Sequence, residues 1–543
     1  MTDKPCLIHT EQGVSVSYNG HLLYSKYNPA KNIVKKIAET DFLPGSVILC
    51  LSPVLPHGLR ELMEKLPENC MAILCEKNQE LFDFSASFFD ADSLCKKKVA
   101  SNRIFRPSPS ELDALPQWIY DQNKSGQYRR VIAIDFSAGT QLNQQYYKLL
   151  GEACTDAMMT YWKNRVTLTK FGRKYSRNFF ANLKAMPRTT PIENFLGKIT
   201  RPILCFGAGE STDYFFDNIA IENLHRQDFF ILCADTALAA LQARGIIPDG
   251  VFIEEAQSVI LGSFIGSAGK TDVHIFAGLS SVPQLRRCFR ENQVSYFFTE
   301  FTQADFIDRA KAKGFLPHAN PAFGSVGLTM VHYALLFRAS AELPVYVCGL
   351  DFSYSAGRTH ARGTPAHKNK LISQTRLSSI YDFKAAYNQN ALPFTEKSGR
   401  AFTTTKILIS YSQIFRQIFA GAKNLFDSGK TGISLAIPAK NAMENRASKI
   451  SGKNPQEKSV DAAESAEKIT EFLEEEKNAL LNLRALLTEN LGISEAERRE
   501  KITALAACRE YLFLHYPDGM AFRYEQSFLN RIRTEIDFFL RLF

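Results

Sequence analysis

Residues 229–254 read FFILCADTALAALQARGIIPDGVFIE, and this stretch decides the fold. An apolar run, 229–235, ends in Asp235. TALAALQARG then reads as a helix, and PDGVFIE, 248–254, as a second strand. The two strands are continuously apolar rather than alternating, so both faces of their sheet must be covered. Strand, helix and strand in that order, with runs too apolar for a one-sided sheet, indicate a doubly wound, mostly parallel sheet.

The same grammar extends in both directions. Upstream, PILCF (202–206) runs into the turn GAGES and a helix. Downstream come strands at 274–278 and 294–300, a helix over 324–339 and a last strand at 344–351. Near the N-terminus, 46–53, CMAILCEK and 130–136 read as strands of a smaller parallel α/β unit. Its first strand-to-helix turn, SPVLPHG, has Pro where a phosphate loop wants Gly, which favours a structural or recognition role there. Residues 141–183 are amphipathic and read as long helices, and the Pro-punctuated segment 186–202 marks a boundary. Residues 439–460 are polar and read as a linker. Beyond them Ala462, Ala466, Ile469, Leu473, Leu480, Leu483 and Leu487 share one helical face. Ser494 and Glu497 form a candidate capping box, and Phe528, Ile532, Ile536, Phe539 and Phe543 stripe a third helix. The expected organisation is an N-terminal α/β domain (1–140), a helical connector (141–199), a central Rossmann-like domain (200–438), a linker (439–460) and a C-terminal helical domain (461–543).

Composition narrows the function. The 543 residues are 45% hydrophobic and 22% charged, as in a soluble globular protein. A net charge of +9, spread along the chain, suits anionic small molecules and argues against a dedicated nucleic-acid binder. The 11 cysteines form no CxxC pair or Cys/His cluster and read as reduced, largely buried thiols. With no apolar signal region and no run long enough for a membrane helix, the expected location is the cytoplasm.

Four constellations carry possible chemistry. GAGES, Gly207 to Ser211, offers close backbone approach and helix-start N–H groups to a phosphate, with a hydroxyl at Ser211. It lacks the third Gly of a dinucleotide fingerprint and the Lys of a P-loop, so a plain strand-to-helix turn reads equally well. Central strands end in acids at Asp235, Glu254–Glu255, Glu300 and Asp351, which in an open α/β sheet converge on one crevice. NPAFGSVG, Asn320 to Gly327, puts small residues and Ser325 at a helix start, for a ligand or for tight packing. Finally, 348–364, CGLDFSYSAGRTHARGT, empties a strand into Asp351, Tyr354, Arg358, His360 and Arg362. His360 can act as a base near neutral pH, the arginines can hold phosphate or carboxylate, and Tyr354 can donate to a leaving phosphate oxygen, but the stretch taken alone reads better as a solvated basic loop in which His360 is idle.

Taken in order, GAGES, ADTALAALQARGIIPDGVFIEE, GSVGLTMVHYALLF and VCGLDFSYSAGRTHARGT resemble the core of the motility-associated factor (Maf) flagellin glycosyltransferases. The opening NGHLLYSKYNPAKNIVKKI is similar to theirs as well, and the resemblance covers about 1–435. The same core is similar to bacterial CMP-sialic acid transferases and to 6-hydroxymethylpterin pyrophosphokinase-like proteins. Ala208 and Glu210 stand where the sialyltransferase loop has Asn and Pro, and Glu255 where the family has Asp. The resemblance implies inverting transfer of a nonulosonic (sialic-acid-like) sugar from a CMP-activated donor to Ser or Thr of flagellin. It implies that Gly207, Gly209, Glu210 and Ser211 meet the nucleotide, and that Asp235 and Thr236 line the cytidine or sugar side. Asn320, Ser325, Gly327 and Arg358 join the donor set. Asp351 and Tyr354 stand beside the leaving phosphate, with His360 as the base. Glu254, Glu255 and Asp351 could hold Mg²⁺ were the donor a diphosphate. An ATP-dependent pterin pyrophosphokinase-like transferase and a non-catalytic flagellin-binding protein are the rival expectations.

Overall fold

The computed structural model describes residues 4–92, 103–123, 126–219, 224, 226–267, 272–381, 383–395, 397, 399–444, 462–489 and 492–543. The chain forms two compact units, Met1–Gly172 with Phe513–Phe522, and Arg173–Leu512 with Arg523–Phe543. Most of the expected linker, 445–460, lies outside the described residues.

The smaller unit begins with a three-stranded antiparallel sheet, β1 (Cys6–Thr10), β2 (Gly13–Tyr18) and β3 (His21–Leu22). A four-stranded parallel sheet follows, built from β4 (Ser46–Leu51), β5 (Met71–Cys75), β6 (Ile104–Phe105) and β7 (Arg130–Asp135) in the order β6-β5-β4-β7. Every residue of β4 and β5 is buried. Ile48, Cys50, Ala72 and Leu74 face one core, and Val47, Leu49, Met71 and Ile73 face another. That is why these runs are apolar throughout.

The larger unit contains an eight-stranded sheet in which every pairing is parallel. Its first six strands are β8 (Ile203–Phe206), β9 (Phe230–Ala234), β10 (Gly250–Ile253), β11 (His274–Gly278), β12 (Val294–Thr299) and β13 (Ala319–Asn320). β14 (Val345–Cys348) and, after a small antiparallel pair β15 (Leu392–Thr395) and β16 (Ala401–Thr404), β17 (Leu425–Asp427) complete it. The order is β13-β12-β11-β10-β9-β8-β14-β17. The chain starts at β8, walks outward to β13, then returns to the other side of β8. Strand order therefore reverses between β8 and β14, and crevices at the carboxyl ends of strands open at such reversals. One face packs Ile203, Cys205, Leu232, Phe252 and Phe276 against the helices Val326–Phe337 and Lys406–Phe419. On the other face Phe206 meets Phe215 and Phe216 of the helix Ser211–Asp217.

The connector is one 42-residue helix, Gln144–Ala185. In its second half Asn178 donates to the carbonyls of Ala256 and Ser280, and Asn182 to those of Leu279 and Ser281. These two buried amides tie the helix to the loops after β10 and β11. The C-terminal helices Ala462–Thr488, Glu495–Ala507 and Gln526–Leu540 form where the periodicity placed them. Ser494 caps the second, accepting from the Glu497 N–H at 3.2 Å. They do not form a compact unit of their own. Their apolar stripes need a partner surface, and Phe180 of the long helix supplies it, meeting the rings of Tyr511, Phe539 and Phe543. Fully buried Glu476 accepts from Arg309 at 2.6 Å, Arg509 at 3.2 Å and Tyr511 at 2.7 Å, so its charge is compensated. The described cysteines are free thiols, and among the described residues no helix is long and apolar enough to cross a membrane.

Candidate functional site

Backbone contacts alone draw the β8 and β14 loops together. The Gly207 N–H donates to the Cys348 carbonyl at 2.7 Å, and the Gly209 N–H to the Gly349 carbonyl at 2.9 Å. This approach leaves no room for side chains. A Cβ on Gly209 would lie 2.6 Å from the Asp351 carboxyl carbon, and one on Gly207 would overlap the Gly349 carbonyl oxygen. Gly349, at φ +78°, makes the turn that a side chain would strain.

Asp351 ties this junction together. Its buried carboxylate accepts from the Ser211 N–H at 2.7 Å, from the Ser211 hydroxyl and from the Thr431 hydroxyl at 3.2 Å. A negative charge thus sits at the start of the helix Ser211–Asp217, the favourable end of its dipole. Burial pushes the Asp351 pKa up to about 6, against the pull of those hydrogen bonds. Ser211 in turn accepts from the Gly349 N–H at 2.9 Å. The next residue, Phe352, is held at φ +49°, a conformation that costs a bulky residue about 1–2 kcal/mol. Backbone strain of this kind persists where surrounding structure over-determines it.

The loop 355–364 lies directly on GAGES, with the Ala361 N–H donating to the Ala208 carbonyl at 2.8 Å. Arg358 approaches Glu210 at 3.7 Å. Glu210 is buried, and its Oε2 has no hydrogen-bond partner among the described residues; nor does the buried Ser353 hydroxyl. The same loop walls a cavity of about 230 Å³ lined by Arg358, His360, Arg362, His367 and Lys370, with Tyr381 at its wall and no carboxylate in its lining. The Nδ1 of His360 contacts the Thr359 hydroxyl at 2.9 Å, leaving Nε2 to exchange a proton. The ring edge reaches solvent, while the protein crowded around it lowers the pKa, so the imidazole is neutral at pH 7.

Several expected ligands have other partners. Tyr354 donates its hydroxyl to the Ala385 carbonyl at 3.0 Å and pairs its backbone with Thr403. It clamps the loop, and its proton is not directed at a phosphate. Arg362 is held by Asp217 at 2.5 Å, and Asp213 accepts from its backbone N–H. Asn320 lies on β13, at the far edge of the sheet from β14, with its carbonyl accepting from Thr299 and Tyr333. Glu300 is paired with Lys311 at 2.8 Å, at the end of β12. Gly327 serves packing, since a Cβ there would meet Leu350 at 2.5 Å, and half-buried Ser325 starts its helix without a side-chain cap.

Asp235, at the end of β9, lies one strand from β8 with Thr236 beside it. The Asp235 carboxylate accepts from the Thr236 N–H at 2.5 Å. Burial, then the charges of Glu255 and Glu254, push its pKa up to about 7. Both oxygens of Glu254 accept threonine hydroxyls, Thr299 and Thr329, each at 2.8 Å, and Glu255 accepts from the Gln257 N–H. Glu254 and Asp351 end strands three spacings apart, roughly 14 Å at ~4.8 Å each, so they share no ion. Among the described residues no three His, Cys, Asp or Glu side chains cluster as metal ligands.

The raised pKa has a consequence for stability. A carboxyl at about 7 folded and 3.8 unfolded favours folding only while protonated. Its contribution is full below pH 4 and is lost as pH rises to 7. Asp235→Asn should therefore be more stable than the parent at pH 8, by on the order of 2–4 kcal/mol, with the gap closing towards pH 4. Denaturation midpoints measured from pH 4 to 8 check this; a gap independent of pH contradicts it.

A wholly parallel, doubly wound sheet with its polar loops gathered at the strand-order reversal makes this a Rossmann-like α/β protein. Residues 177–357 match the family model described as 6-hydroxymethylpterin diphosphokinase MptE-like. In particular, the fold is shared with the Maf glycosyltransferase from Magnetospirillum magneticum AMB-1, with a TM-score of 0.56 and 14% identity, covering 99% of this chain and 91% of that one. An uncharacterized protein of Treponema pallidum (strain Nichols) is 28% identical over 568 residues, covering 99% of this chain and 95% of its own.

Proposed function

We propose that this protein is a glycosyltransferase that moves a nonulosonic sugar from a CMP-activated donor to Ser or Thr of flagellin in the cytoplasm. The observation that carries the reading is the cavity lined by Arg358, His360 and Lys370, whose loop is hydrogen-bonded to GAGES, with Arg358 also 3.7 Å from the buried Glu210, whose Oε2 has no partner among the described residues. A CMP-nonulosonate brings two anions, the phosphodiester and the sugar carboxylate, to meet Arg358 and its neighbours, and hydroxyls to meet Glu210. In the step proposed, an acceptor hydroxyl attacks the anomeric carbon, the bond from that carbon to the phosphate oxygen breaks, and CMP leaves. His360 takes the hydroxyl proton on Nε2. Asp351 acts as a positioning residue, fixing the two loops that carry these groups. A monophosphate-linked donor needs no metal to neutralise it, and Glu254 and Glu255 would meet Mg²⁺ only with a diphosphate ligand.

The second reading, diphosphoryl transfer from ATP to a hydroxymethylpterin, is favoured by the family model over residues 177–357. The glycosyltransferase reading is preferred because that fold likeness extends over 99% of the chain, including the smaller unit and the helical tail. Thermal-shift titration with CMP, a CMP-nonulosonate, ATP and 6-hydroxymethylpterin separates them. Stabilisation by CMP and its sugar supports the first; stabilisation by ATP with pterin alone overturns it.

Glu210→Gln sharpens the test. An unpartnered buried carboxylate oxygen costs folding energy that a ligand hydroxyl recovers. The variant should melt at or above the parent's temperature without ligand, yet bind the CMP-sugar roughly 5–100-fold more weakly, the equivalent of ~1–3 kcal/mol. Equal affinity for parent and variant would remove Glu210 from the site.

A further inference from the structure

The smaller unit carries a groove that the proposed reaction does not use. In the order β6-β5-β4-β7, β7 is an edge strand. β4 pairs with one side of it from Ser46↔Arg130 to Leu51↔Asp135, and no described strand pairs with the other. Natural sheets blunt exposed edges with Lys, Pro, bulges or very short strands. The middle of β7, Val131 to Ile134, has none of these, and Ala133 and Asp135 are exposed.

Along this strand runs an open trough of about 790 Å³. Val131, Ala133 and Asp135 form one wall, and Gly151, Glu152 and Asp156 of the long helix the other. Gly151 keeps it wide, because a Cβ there would meet only Ala133, at 3.9 Å. Sites for small molecules enclose most of their ligand, whereas an open trough beside an unpaired strand fits an extended chain that adds its own backbone hydrogen bonds.

Charge selects the occupant. At the Asp135 end the charges are balanced, with Lys36 at 2.9 Å and Lys148 in the lining. At the other end Glu152, one helical turn from Lys148, and Asp156 stand exposed, and Asp156 has no cation beside it in the lining. A second copy of this chain, paired edge to edge, would present the same acids. The fitting partner is a different segment with basic side chains. We propose that β7 is a docking edge for an extended, lysine- or arginine-bearing peptide strand of a protein partner, its basic side chains lying against Glu152 and Asp156.

Hydrogen exchange on the full chain tests this, with acetyl-TKVTVKVT-amide as probe at millimolar concentration. Backbone amides within Val131–Asp135 should exchange about tenfold more slowly with peptide present. An analogue N-methylated at alternate residues keeps the charge but loses the donors, and should give no slowing. Gly151→Arg should abolish the effect by filling the trough, and Thr155→Arg, at an exposed lining position, provides the same test if Gly151→Arg does not fold. Unchanged exchange with the probe overturns the proposal. So does equal slowing by the N-methylated analogue, which would mean charge adhesion alone, or a β7 already protected in a dimer of this chain.

Discussion

Replacing Asp351 by alanine is expected to give the largest structural effect of any single change at the site. Three donors lose their acceptor at once: the Ser211 N–H, the Ser211 hydroxyl and the Thr431 hydroxyl. They are buried, so water does not readily replace the carboxylate, and each unsatisfied group costs about 1–3 kcal/mol. The three strands that meet here lose their common tie. The helix Ser211–Asp217 also loses the anion at its start. A total of about 3 kcal/mol or more is expected, which lowers the melting temperature by roughly 4 °C or more in a unit of this size. Asp351→Asn keeps the shape and one acceptor oxygen and should fall between. Both variants should weaken donor binding, because GAGES and the loop 355–364 are positioned through this residue. A Tm change below about 1 °C in the alanine variant would show that Asp351 is not the tie.

His360→Ala is expected to act on rate and not on fold. The side chain reaches solvent, and its only hydrogen bond among the described residues is to the adjacent Thr359. Melting temperature should therefore hold, while kcat falls by the ~10²–10⁴-fold that a general base contributes. Burial lowers the pKa from 6.5, so the acid limb of the parent's kcat/KM should have its midpoint below pH 6.5. In the variant that acid limb should disappear. If KM rises and kcat stays, His360 holds the donor and takes no proton.

The sequence was legible where burial on both faces forced a pattern. The runs at 203–206, 230–234, 250–253 and 345–348 are strands because no polar residue could be tolerated on either side. The loops at the site were visible for a related reason, since Gly207, Gly209 and Asp351 break those runs abruptly. What remained hidden is tertiary. Nothing in chain order tells that β14 returns beside β8, although that return brings the loop 355–364 onto GAGES. Thr431 was missed because β17, three residues long, has no apolar run to announce it; the glycines at 429 and 432 around it were the available signal. Tyr354 looked like a free donor because its acceptor, the Ala385 carbonyl, is a backbone atom 31 residues away. The antiparallel sheet at the N-terminus was missed, although its signal was present. Asn19-Gly20, both at positive φ, joins GVSVSY to His21–Leu22 as a two-residue hairpin turn, a strong local signal.

The central claim is that the cavity walled by the loop 355–364, which lies on GAGES, transfers a sugar to flagellin. Intact-mass measurement of flagellin from cells with and without this protein tests it most directly. Flagellin from the deleted cells should be lighter by a whole number of identical nonulosonic acid residues, with the mass restored by the parent gene and not by His360→Ala. Flagellin of unchanged mass in the deleted cells would contradict it.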